Sequence, residues 1–326
     1  MALSLITATG PLLDQALRHT FAQWGSGLTP EAWTRYDTAL ARLPWGKGHR
    51  DHVALVDAGR LIAVAKRHEL TARIDGRIRR VLGIGAVYTP PDLRRRGAAS
   101  ALIEHVLGAA ETDGYEFSLL FSEIGPAFYE RFDFVPVPLV ETTLGVHAGP
   151  GGRGGAPAVL LRAGDDRDLP HVAEMSATRA ASARWALDRS EEFVKYTIAR
   201  RRLLAGLGPP GARQVEFLVT EEGCQAVAYL VVTIQDGMWT IEECGDRDPA
   251  GARVGAMLQA MIAREPAEAA PVIRAWWPHG WAPPQLDILA TRPTREVMML
   301  RPLTDRVLPL PPLGTREVLY WHGDLF

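Results

Sequence analysis

Two stretches near the start, residues 11–24 and 30–43, carry apolar residues at helical spacing, and Thr29 before Pro30 supplies an N-cap and a first helical residue. The pattern predicts two helices before any strand. The period then changes. Residues 52–56, 61–72 and 79–89 are rich in Val, Ile and Leu and are separated by the turn signals DAGR and IDGR, which predicts an antiparallel meander. Over residues 98–110, Leu102 with Val106, and Ile103 with Leu107 and Ala110, return to i, i+4 and i+7 spacing, the mark of a packed helix. The run FSLLF, residues 117–121, is nearly continuously apolar, as in a strand buried on both faces. A glycine-proline break, a short helix over 126–131 and a strand over 134–139 complete the first half.

The stretch HAGPGGRGGAPA, residues 147–158, has no apolar periodicity and enough glycine to act as a flexible linker. Beyond it the order of elements is loosely repeated. A strand is expected over 158–162, helices near 169–181 and 190–204, strands over 215–220, 226–234 and 238–243, a helix over 252–264 and a strand over 272–277. The order recurs without the residues, a weak internal duplication. The expected division is a first domain over 1–146, a linker over 147–157 and a second domain over 158–326. A chain of 326 residues is long enough for two such cores.

Composition changes this picture only by exclusion. At 47% hydrophobic and 23% charged the chain is globular in type. Its net charge of -2 provides no global cationic surface for a nucleic acid or an acidic membrane, so neither partner is expected and any phosphate site must be local. Cys224 and Cys244 make neither a disulfide framework nor a zinc set, and the histidines lack metal-ligand spacing, so no metal is expected. The first residues lack the basic and apolar regions of a signal peptide, and no window approaches 18 uncharged apolar residues, which predicts a cytoplasmic protein. Oligomeric state stays open between monomer and homodimer.

The local phosphate site is in TPPDLRRRGAAS, residues 89–100. Here a strand passes through three arginines, Arg94, Arg95 and Arg96, and then Gly97, Ala98 and Ala99, directly into a helix. Such a turn leaves backbone N–H groups free at the positive end of the helix dipole, and small residues let a pyrophosphate approach them. The alternative is a surface loop whose solvated arginines cap a helix.

These residues resemble the pyrophosphate-binding motif of the GNAT superfamily of acetyl-coenzyme A dependent N-acetyltransferases: Arg or Gln, two residues, Gly, one residue, then Gly or Ala. Arg94, Gly97 and Ala99 stand at those positions, and the resemblance puts backbone groups of Val87 and Thr89 against the pantetheine arm. A second segment in register, IGPAFYERFDFVPVP over 124–138, resembles the family's A-x-x-Tyr-x-x-x-Gly-Phe segment. Asp133 departs from it where glycine is usual, and Glu123 stands where asparagine is common. The match covers about residues 50–140.

The resemblance implies an α/β (α+β) fold of two GNAT-like domains, each a mixed, mostly antiparallel sheet flanked by helices. The second is degenerate: its loop ECGDRDPAGARVGAM lacks the required spacing, and Asp246 and Asp248 would repel a pyrophosphate. The resemblance also implies acetyl-coenzyme A as cosubstrate, a primary amine as acceptor, and Tyr129 as the acid that protonates the departing thiolate. The alternative for Tyr129 is a packed helix tyrosine. For the base, Glu123 lies at the end of the 117–121 strand, and it could instead cap a helix or bind a substrate ammonium. Carboxylates of the second half (Glu242, Glu243), or the terminal carboxylate of Phe326 as in tandem aminoglycoside-modifying relatives, are further candidates.

The apolar tail YWHGDLF must be buried somewhere, and Trp276, Trp277 and Trp281 suit either an aromatic wall around an ammonium group or plain core. The narrower resemblance is to fungal-type lysine N6-acetyltransferases and their bacterial relatives, which makes free lysine the first acceptor to expect. Aminoglycosides, polyamines and protein amines follow, and a non-catalytic acetyl-coenzyme A binding module is the rival from another class.

Overall fold

The computed structural model describes residues 3–147, 157, 159–266, 270–304 and 312–326. Contacts divide the chain into two compact units. One comprises Met1–Val137, Arg295–Pro312 and Phe326; the other comprises Pro138–Thr294 and Leu313–Leu325.

In the first unit the strand β1 (Ser4–Thr7) precedes the helices α1 (Gly10–Trp24), α2 (Pro30–Arg42) and α3 (Pro44–His49). The expectation of two helices before any strand is therefore corrected: β1 pairs with one strand only and is largely exposed, so it leaves no apolar alternation to read. The N-cap is as the sequence predicts, with the Thr29 hydroxyl accepting from the Ala32 amide at 3.2 Å. The meander follows as β2 (Arg50–Asp57), β3 (Arg60–Ile74) and β4 (Arg77–Tyr88). Its two-residue turns, Ala58-Gly59 and Asp75-Gly76, have positive φ at both positions, the geometry that matches strand twist.

The helix α4 (Ala98–Thr112) carries the chain over to β5 (Phe117–Ser122), which runs parallel to β4. After the short helix α5 (Ala127–Glu130) comes β6 (Val135–Val137). Between β5 and β6 lies a strand from far along the sequence, Val297–Pro302, antiparallel to both. The first sheet thus runs β1-β2-β3-β4-β5, then Val297–Pro302, then β6. On one face Leu102, Ile103, Val106 and Leu107 of α4 pack on Leu82, Ile84, Leu120 and Met299. On the other, Ala16 with Leu12 and Leu13 of α1 packs on Ala54, Leu61 and Val64.

The second unit opens with β7 (Val140–Val146), a strand the sequence did not predict, which follows β6, the strand expected over 134–139, in the other sheet. It continues with β8 (Arg162–Ala163), α6 (Leu169–Ala180), β9 (Trp185–Leu187), α7 (Glu191–Leu207), β10 (Gln214–Glu222), β11 (Gln225–Gln235), β12 (Met238–Asp246), α8 (Ala252–Ile262), β13 (Val272–Ala275) and β14 (Leu286–Pro293). The sheet order is β14-β7-β13-β12-β11-β10-β8, with β12 and β13 parallel on either side of α8 as β4 and β5 are on either side of α4. The duplication expected from element order is present in this β-α-β pattern.

The units do not follow the division expected at residues 147–157. Strand pairing moves β7 to the second unit and Arg295–Pro312 to the first, and composition carries no signal for either exchange. Residues 148–156 of the expected linker, and Ala158 of the strand expected after it, lie outside the described residues.

Candidate active site

Backbone geometry at the end of β4 shapes the site. Its parallel pairing with β5 ends at Ile84 opposite Leu120. Beyond that point Gly85, Ala86, Val87 and Tyr88 remain paired only with β3, across a bulge that sets Ala86 and Val87 against Ala65 alone. Ala86 takes a φ of 48°, a conformation found at bulges that bend a strand and re-aim its neighbours. Among the described residues, the backbone edge of β4 that faces away from β3 therefore has no strand partner here, a place for an extended amide-bearing arm to bond. The Thr89 hydroxyl just beyond is buried without a hydrogen-bond partner among the described residues. The Thr89 carbonyl accepts from Arg94 Nε at 3.2 Å.

The arginine loop leads into α4 through Gly97, whose φ of 83° suits glycine and whose missing Cβ would meet nothing within 4 Å. No acidic residue stands in the first turn of α4. The early amides of a 15-residue helix thus open onto unobstructed space beside Arg94, Arg95 and Arg96, all exposed, with the small Ala98 and Ala99 beneath. This is the loop that the sequence marks for a pyrophosphate, and Val87 and Thr89 lie on the strand and loop that lead to it.

Tyr129, on α5, is buried, with its ring against Phe128 and Phe134 at centroid distances of 4.9 and 6.1 Å. Burial, reinforced by the charge of Glu123, pushes its phenol up to about 12. It therefore keeps its proton across the physiological range. The turn after it puts Asp133 at a φ of 60°, which explains why glycine suits this position. Aspartate is among the residues that tolerate the left-handed region, so the departure preserves the local backbone. Glu123 stands exposed just past β5 and accepts a hydrogen bond from Trp24 Nε1, at the end of α1, at 3.3 Å. The structure thus brings Tyr129 and Glu123 close enough to interact electrostatically.

Three residues had no role in the sequence reading. Gly83 and Gly85 in β4 leave room for the Phe326 ring, whose Cζ lies 2.7 Å from where a Gly83 Cβ would stand. His68 and Phe121 flank that ring at 4.6 and 5.8 Å. Glycine at alternate positions inside a strand is a readable sign of close approach. Trp24, the third, is 99 residues from Glu123, and nothing in the sequence marks it.

Of the other candidates, the terminal carboxyl of Phe326 lies against β4, its O 3.3 Å and its carbon 3.6 Å from where a Gly85 Cβ would stand, whereas those of the second half are engaged elsewhere. Glu242 is buried. Although burial acts to raise its value, Arg201 and His322, the latter 2.7 Å away, outweigh it and hold the carboxyl at about 2. Glu243 is buried against Arg189. Trp277 and Trp281 are stacked core residues 4.8 Å apart, with the Arg179 guanidinium 3.6 Å above Trp281, and Trp276 is buried too. A cavity of about 780 Å³ beside them is lined by His279, Thr291 and Arg316, and its carboxylate, Glu317, is taken by Arg184 at 2.9 Å and the Gly314 amide at 2.7 Å.

At the N-terminus of α8 the second unit repeats the form of the cradle without its vacancy. Gly251 has a φ of 73°, like Gly97, but the Asp246 carboxylate accepts from the amides of Asp248 and Arg253, both at 2.9 Å. The ring of Trp281 lies 2.7 Å from a Gly251 Cβ position. The protein's own carboxylate and indole occupy the place a pyrophosphate would take.

The comparisons agree with this geometry. No curated protein matches the chain in sequence. Among solved structures, a GCN5-related N-acetyltransferase from Kribbella flavida is similar with a TM-score of 0.66 and 18% identity, over 92% of this chain and 71% of that one. A GCN5-related N-acetyltransferase from Anabaena variabilis gives 0.67 and 13%, over 93% and 73%. The N-myristoyltransferase of Saccharomyces cerevisiae, with bound myristoyl-CoA, gives 0.54 and 12%, over 91% and 82%. At these identities the likeness speaks for the fold. A family model for an acetyltransferase (GNAT) domain matches residues 12–137, which include the bulged strand, the arginine loop and Tyr129. Residues 12–137 of this chain are thus a GNAT acetyltransferase domain.

Proposed function

We propose that the protein transfers the acetyl group of acetyl-coenzyme A directly to a primary amine of a small molecule, free lysine being the first candidate. Backbone amides at the start of α4, with Arg94, Arg95, Arg96, Gly97, Ala98 and Ala99, take the pyrophosphate, and the β4 backbone at Val87 and Thr89 takes the pantetheine arm. Glu123 accepts the proton of the amine, directly or through one water, and Tyr129 gives a proton to the leaving thiolate. The observation that carries this reading is the pairing of a buried phenol held at about 12 with the carboxylate of Glu123, next to strands that part beyond Ile84 and Leu120. Both cysteines are free thiols and none of the described helices is long and apolar enough to cross a membrane, in keeping with a site of action in the cytoplasm.

The test is release of coenzyme A thiol from acetyl-coenzyme A by the purified protein against lysine, other amino acids, polyamines, aminoglycosides and peptide amines. Turnover on lysine alone supports the reading as stated, and turnover on another class replaces the acceptor. Binding of acetyl-coenzyme A with no turnover on any amine would leave a non-catalytic binding module.

A further inference from the structure

The carboxylate assigned as base stands exposed at the end of a strand, where a glutamate side chain has several rotamers open to it. A base works only when held within hydrogen-bond reach of the proton it removes. The contact that restricts Glu123 is the indole N–H of Trp24, 3.3 Å from Oε1. Trp24 is half-buried, at the last position of α1, and its own orientation is set by the Tyr88 ring, edge-on at 6.4 Å. Tyr88 is in turn stacked with His19 at 5.9 Å and has the Arg94 guanidinium 5.6 Å from its centroid. An aromatic pair thus connects the end of β4 to the carboxylate at the end of β5.

We propose that Trp24 is the positioning residue of this acetyltransferase: its indole N–H fixes the Glu123 carboxylate in the orientation from which it takes the acceptor's proton. This inference rests on the reading of Glu123 as the base. Loss of the N–H then frees the carboxylate to rotate among its rotamers, which lowers kcat for the amine.

Trp24→Phe keeps a ring against Tyr88 and removes only the donor. We expect kcat with the amine to fall about three- to thirty-fold, with KM for the amine and the dissociation constant for acetyl-coenzyme A unchanged. In a Glu123→Gln background the same substitution should cost little more, because residues that act through one contact are not additive. A second readout needs no turnover: the indole N–H resonance of Trp24 should move on Glu123→Gln while those of the other tryptophans stay in place. If Glu123→Gln leaves kcat unchanged, the assignment of the base falls and the inference falls with it. If Glu123→Gln is impaired while Trp24→Phe matches wild type, the base stands and Trp24 is not its positioning residue.

Discussion

Asp133 and Tyr129 sit within one turn of each other, and they respond to opposite demands. At Asp133 the backbone wants glycine: a φ of 60° costs an L-residue about 1 kcal/mol, less for aspartate than for most. Asp133→Gly should leave stability within about 1 kcal/mol of wild type and turnover unaltered, whereas Asp133→Val should lower the melting temperature clearly. At Tyr129 the demand is chemical. Tyr129→Phe keeps the packing against Phe128 and Phe134 and should lower turnover about ten- to a thousand-fold with acetyl-coenzyme A affinity preserved, as steady-state kinetics beside a binding titration will show. An equal loss in affinity would make the tyrosine a packing residue. A third residue, His52, is buried beside Asp37, with its Nε2 3.5 Å from a carboxylate oxygen. Burial, assisted by Arg50 and Lys66 against the pull of Asp37, lowers its value from 6.5 to about 3, so the native state holds it neutral while the unfolded chain takes up a proton below about 6.5. Stability of the fold should therefore decline as pH falls from about 6.5 towards 3, and His52→Gln should flatten that slope in urea unfolding followed across pH.

At the scale of elements, α4 and α8 show how one form serves two ends. Both begin at a glycine in the left-handed region between parallel strands, and only the first is open. Removal of Asp246 takes an acceptor from the first amides of α8, so Asp246→Ala should destabilise the fold by about 1 to 3 kcal/mol and leave one molecule of acetyl-coenzyme A bound per chain, measured by calorimetry. The difference between the helices was readable in part. Arg94, Gly97 and Ala99 stand in the sequence at the spacing a pyrophosphate needs, and Asp246 stands where it would repel one. What the sequence hides is that the Asp246 carboxylate folds back onto the amides, since that depends on a turn seven residues long. The meander, α4 and β5 were legible because their periods are strong and their partners adjacent. The strand Val297–Pro302 was not, because it pairs with β5 from 175 residues away, a distance over which local pattern carries no information. Trp24 escaped for the same reason.

At the scale of the whole chain, the first unit is discontinuous: residues up to 137 cannot complete its sheet without Val297–Pro302 between β5 and β6. Met298, Met299 and Leu300 of that strand are among the most buried residues of the protein. A fragment ending at residue 146 leaves β5 with an open apolar edge and should be insoluble or molten, with poor near-ultraviolet dichroism. Full solubility of that fragment would contradict the topology. Addition of a peptide covering residues 295–304 should restore thermal protection if the edge is the cause.

That inserted strand also sets a timetable. A ribosome delivers the chain from the N-terminus, and domains commonly fold as they emerge. Here the acetyltransferase domain must wait with its central strand half covered until residue 302 has left the exit tunnel, by which time most of the second unit has been synthesised. At about 5 to 20 residues per second the delay after residue 137 is on the order of ten to thirty seconds. During that interval the nascent protein is a natural client for a chaperone that shields an unpaired apolar strand, and its yield in the cell should depend on that protection more than on the stability of the finished molecule.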